Sequence, residues 1–131
     1  MLKKRIINTY IEDCKKTESL PNIIGLTEDQ IRLFHVALGM QTETAEFSDA
    51  LKKHIFYGKE LDKVNLKEEL GDILWYISLA LDVLDSDFET EMARNISKLK
   101  LRYPDKFSSY KAEFRDLDAE RKLLEGSTGN E

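Results

Sequence analysis

The chain has 131 residues, enough for one domain with a real core. With 41% hydrophobic and 34% charged residues it has the make-up of a water-soluble, helix-rich protein. The net charge of −5 argues against a general nucleic-acid binder, which needs a basic surface; a nucleotide ligand stays open, because a bound metal can supply positive charge locally.

Cys14 is the one cysteine, so an intrachain disulfide is excluded and a reducing compartment fits. The basic start Met1-Leu2-Lys3-Lys4-Arg5 is not followed by an unbroken apolar run. No secretory signal is expected, and the location is read as cytoplasmic. The periodicity predicts a first helix over 2–16, with Ile6, Ile7, Tyr10, Ile11 and Cys14 along one stripe. Residues 17–26 read as a linker, since Ser19, Pro21, Asn22 and Gly25 are turn formers. Thr27-Glu28-Asp29-Gln30 spells a capping box, and the helix it opens runs to about residue 56, with Gly58 as its stop. Gly39 inside that helix costs about 1 kcal/mol against Ala and points to a close helix contact.

After a polar connection over 57–62, the next helix starts at Asp62 or at Asn65, the second opening another capping pattern. Its run over 73–84 is apolar nearly all the way round, yet too short to span a bilayer. A helix apolar on every side must be covered on every side. Four or five helices hardly manage that alone, so a partner subunit is expected. Ser86-Asp87-Phe88-Glu89 caps a further helix that reaches Arg102 and is stopped by Pro104. Residues 110–125 then carry Phe114, Leu117, Leu123 and Leu124 at helical spacing. The tail over 126–131 has nothing to bury and is expected to be disordered. The chain therefore reads as all-α, four to five helices in a single domain over 1–125.

Two of these helices each carry a pair of acids three residues apart: Glu43 with Glu46, and Glu69 with Asp72. That spacing leaves partners about 60° apart on one helix face. Laid side by side, the two helices would aim four carboxylates into one gap, which demands a compensating cation. Oxygen donors without His or Cys favour Mg²⁺, or Mn²⁺, over zinc. Most such pairs merely solvate a helix face; here Asp72 runs into Ile73-Leu74-Trp75, and Glu46 abuts Ala45 and Phe47. Tyr76 shares the face of Glu69 and Asp72, either as a core tyrosine or as a sugar or base contact.

Asn95, Lys98 and Arg102 form a stripe of amide, ammonium and guanidinium suited to phosphate oxygens. The alternative is a solvated basic face. Lys53 lies near the face of Glu46 and is a further phosphate candidate, as are Lys52 and Lys59, unless they only face solvent. His35 is read as packed and His54 as a surface residue. Neither completes a Glu-x-x-His with a suitable Glu, which weighs against a di-iron arrangement. Cys14 is read as packing.

Glu43-x-x-Glu46 followed by Glu69-x-x-Asp72 resembles the metal-binding signature of the MazG-like, all-α nucleoside triphosphate pyrophosphohydrolases. The run from Glu68 to Tyr76, Asn95-Ile96-Ser97-Lys98-Leu99 and Arg102-Tyr103-Pro104 match the context, so the resemblance covers roughly 31–107. One departure is Thr42, where the family often has an extra glutamate. The resemblance implies cleavage of a nucleoside triphosphate between its α- and β-phosphates, with Mg²⁺, to a monophosphate and pyrophosphate. It also implies a helical bundle whose active site is built near a dimer interface, commonly in a dimer of dimers. On this expectation Glu43, Glu46, Glu69 and Asp72 hold the metal and Glu46 is the first candidate for general base. Lys53, Lys98 and Arg102 meet phosphate, Asn95 and Tyr76 orient sugar or phosphate, and His35, Trp75 or Tyr76 wall the base pocket. The competing expectation is a non-catalytic helical module that binds a nucleotide or a protein.

Overall fold

The described residues form six helices: α1 (Leu2–Lys15), α2 (Glu28–Tyr57), α3 (Lys63–Val83), α4 (Phe88–Arg102), α5 (Ser109–Glu113) and α6 (Leu117–Gly126). The structure, a computed structural model, describes the backbone over residues 2–126, and side chains at residue 7 and over 9–126. Among the described residues there is no strand, as an all-α fold requires. Among the described residues no helix is long and apolar enough to cross a membrane. The predicted tail lies outside the described residues from 127 onward, and Gly126 itself closes α6.

Local chemistry explains the element ends. Thr27 caps α2 with its side chain on the Gln30 N–H, and the Gln30 side chain returns to the Thr27 N–H at 2.9 Å. The far end of α2 stops at Gly58, whose φ of 64° is left-handed and costs a glycine nothing. Of the two starts open for α3, Asp62 is the one used: its Oδ1 accepts from the N–H groups of Val64 and Asn65, both at 3.0 Å. The predicted last helix is broken in two. Ser108 caps α5, and Asp116 Oδ1 takes the Ala119 N–H at 3.0 Å to open α6. Two side-chain caps so close together leave the segment around Phe114 no continuous ladder.

The chain divides into two compact units, one ending at Asp87 and the other beginning at Phe88. In the first, α2 and α3 are joined by a short loop and run antiparallel: Gly39 lies against Tyr76, and further along Glu43 lies with Glu69 and Asp72. Cys14 of α1, Val36 of α2 and Leu79 of α3 form the buried core, with Tyr10, Trp75, Tyr76 and Ala80 packed on it. Arg32 ties α2 to α3 and to the turn after α1 electrostatically. Its Nε meets Glu18 and its Nη2 meets Asp82, each at 2.8 Å, and Lys15 adds a 3.0 Å contact to Asp82. In the second unit, Arg102 of α4 and Arg115 both bind the buried Glu120 of α6.

Candidate functional site

The helix pair builds the site as a ladder along its length. On α2 the ordered rungs are His35, Gly39, Glu43, Glu46 and Lys53; on α3 they run the opposite way as Tyr76, Asp72, Glu69 and Asn65. Glu43, Glu69 and Asp72 each offer one carboxylate oxygen, and these lie within 4.8 Å of one another. Glu69 is the buried member, with 3% of its surface exposed, Glu43 is half-buried, and Asp72 is open to solvent.

Burial, and then the charges of Glu46, Asp72 and Glu69, push the Glu43 carboxyl above its ordinary range. Among the described residues, no lysine, arginine or histidine forms an ion pair with any of these four acids. Converging acid oxygens without an ion pair to a described cation are a donor set that a hard divalent ion fits. Glu46 is close enough to act on Glu43 but stands a turn further along α2, exposed, where it borders a groove instead of joining the three.

That groove, a cavity of about 550 Å³, is lined by Glu46, Asp49, Lys53, Lys59, Asn65 and Glu69 among others. Sequence reading placed Lys53 on the face of Glu46, and the fold brings both to this wall. Lys53 and Lys52 are each paired with Asp49. Lys59 forms no ion pair among the described residues, and its backbone is fixed: its N–H donates to the Lys53 carbonyl at 3.2 Å. Its own carbonyl lies 2.7 Å from His54 Nδ1. A carbonyl only accepts, so Nδ1 carries the hydrogen in that contact. His54, read from the sequence as an ordinary surface residue, is thus a brace for the loop, a role no local pattern announces.

At the opposite end of the ladder the lining is aromatic. Tyr76 meets His35 and Trp75 edge-on, with centroids 5.4 and 4.9 Å apart. Burial first, then Glu43 and Asp72, raise the Tyr76 hydroxyl above its usual pKa. Tyr10 of α1 is also raised, chiefly by burial and by Cys14, with Asp72 contributing; its spacing in the sequence marks it only as part of the apolar stripe of α1. Trp75 is locked by its Nε1–H to Thr17 Oγ1, 2.8 Å.

Asn95, Lys98 and Arg102 lie on α4, in the second unit. Asn95 is exposed and Lys98 half-buried. Arg102 gives Nε and Nη2 to the two Glu120 oxygens at 2.8 Å each.

Residues 35–107 match the family described as the MazG nucleotide pyrophosphohydrolase domain. This chain belongs to that family. The matched span holds every residue of the acid site, the groove and the α4 stripe. Over 77 residues this MazG chain is also 31% identical to the Gene 37 protein of Mycobacterium phage L5, across 53% of this chain and 65% of that relative. The chain therefore covers less than two thirds of the relative's length. No solved structure gives a significant match.

Proposed function

We propose that the chain is a divalent-cation-dependent nucleotide pyrophosphohydrolase. It cleaves a ribo- or deoxyribonucleoside triphosphate between the α- and β-phosphates, releasing the monophosphate and pyrophosphate. The observation that carries this reading is the convergence of Glu43, Glu69 and Asp72, without an ion pair to any cation among the described residues, in a MazG-family domain.

Those three, with Glu46, would hold Mg²⁺, with Mn²⁺ as a substitute. Bound there, the ion supplies Lewis-acid chemistry to phosphate oxygens and acidifies a water. Glu46, which lines the groove together with Glu69, takes the proton as water attacks the α-phosphorus in line. The P–O bond to the β-phosphate breaks, and pyrophosphate leaves with its electron pair. The ladder gives the substrate a direction: nucleoside toward Tyr76, His35 and Trp75, outer phosphates toward Lys53 and Lys59. The family resemblance names Asn95 and Lys98 as further polar ligands of the substrate. Arg102 joins them by exchanging Glu120 for phosphate, and Glu120 keeps Arg115 when it does. The protein works as a cytoplasmic homo-oligomer, a dimer or a dimer of dimers.

Glu69→Gln and Asp72→Asn test this directly. Both keep the shape of the side chain while removing its charge, so pyrophosphate release should fall by about 10³-fold or more while the fold survives. Wild-type protein that binds nucleotide with Mg²⁺ but releases nothing is the non-catalytic module instead. Release of inorganic phosphate in place of pyrophosphate would break the assignment.

A further inference from the structure

We propose that Asn65 is a positioning residue for Glu69, setting that carboxylate for a divalent cation. This rests on reading Glu43, Glu69 and Asp72 as the cation site. Asn65 Nδ2 donates to Glu69 Oε1 at 2.7 Å, one turn back along α3. Glu69 is the acid of the three most withdrawn from water, so it has little solvent to orient it. The last torsion of a glutamate is broad and roughly two-fold; a donor fixed on Oε1 picks one setting of the carboxylate. The donor is itself anchored, since the Asn65 backbone N–H is held by Asp62 Oδ1 at 3.0 Å, the contact that opens α3.

The amide is also the right kind of donor. A lysine or arginine there would neutralise Glu69 and compete with the incoming cation, whereas a carboxamide orients the carboxylate and leaves its charge whole. Outer partners that orient a metal-ligating side chain typically matter 10–100-fold for metal affinity. A helix-surface pair that only steadied α3 would have no such effect on a cation.

The experiment is titration of the full chain with Mn²⁺ alone, in the absence of nucleotide, followed by electron paramagnetic resonance of the free ion and by thermal unfolding. Asn65→Leu should weaken Mn²⁺ binding about 10–100-fold and shrink the stabilisation that Mn²⁺ confers. Asn65→Gln, which keeps a carboxamide within reach of Glu69, should restore most of the affinity. Asn65→Ala carries the same expectation as Leu and leaves no bulk to misfit if the Leu variant does not fold. Affinity within twofold of wild type in the Ala or Leu variant overturns the role of Asn65, even if its melting temperature drops. Wild-type protein that takes up no Mn²⁺ at millimolar concentration overturns the cation site itself, and the two failures are separable without any turnover measurement.

Discussion

The absence of a side chain at position 39 decides where Tyr76 can stand. A Cβ built there would fall deep inside van der Waals distance of the ring at its hydroxyl end. The ring is boxed by the edges of His35 and Trp75, so it cannot yield without moving both. Gly39→Ala should therefore destabilise the protein by about 1–3 kcal/mol through overpacking, although alanine is the better helix former by about 1 kcal/mol. The overlap is with a rigid ring, so the steric cost is expected to win. Urea unfolding checks it, and an alanine variant as stable as wild type would refute the close packing. A second single residue, Glu120, fixes an acid response. Its contacts with Arg102 and Arg115 lower its carboxyl from the ordinary 4.5 to about 2. A carboxylate depressed in the folded state stabilises above its unfolded pKa and loses that contribution as pH falls through the folded one. Glu120→Gln should thus be less stable than wild type at pH 7, and the gap should close between about pH 4.5 and pH 2. Unfolding midpoints measured across that range give the answer; a gap independent of pH would show that the charge is irrelevant.

Among elements, the loop over 58–62 is the one whose order is least expected from its length and polarity. Gly58 turns the chain, Lys59 N–H returns to α2, and His54 holds the Lys59 carbonyl. The fixed backbone carries an ammonium along the groove wall, while Lys52 and Lys53 are drawn to Asp49. Lys59→Met should raise KM for a triphosphate about tenfold or more, the scale of a lost hydrogen bond to a charged group. His54→Ala should raise it less and speed amide exchange at Lys59. Unchanged KM in the methionine variant would remove Lys59 from the phosphate path. Sequence patterns reached both ends of α2: the Thr27–Gln30 box and the stop at Gly58 express chemistry between residues a turn apart. Partners distant in the chain had no such signature. Arg102 reads from sequence as an open phosphate ligand, because nothing local announces Glu120. Likewise Glu46 reads as the equal of Glu43, since spacing alone does not show which acid turns toward the groove. The split between α5 and α6 escaped for a related reason: apolar spacing continues through Phe114 and Leu117, while the caps at Ser108 and Asp116 interrupt the backbone.

For the molecule as a whole, the apolar character of α3 and the outer side of α2 poses a covering problem. Phe34 and Leu38 on α2 remain 58% and 48% exposed, and Leu70 and Leu74 on α3 remain 51% and 46% exposed. Each pair is spaced i,i+4, so each makes a continuous strip on its own helix. Large apolar side chains in strips mark association surfaces more often than solitary ones do, and a stable interface of ordinary size buries about 1,200–2,000 Å². Light scattering on purified protein at micromolar concentration should therefore give the mass of a dimer or of two dimers. Phe34→Glu combined with Leu74→Glu places charge on both strips and should yield monomers. The same helices carry the acids on their other sides, so separation should remove their support as well, and pyrophosphate release should fall with the dimer fraction upon dilution. A wild-type monomer with full turnover would dissolve the link between assembly and site, because α2 and α3 would then hold Glu43, Glu69 and Asp72 in register unaided.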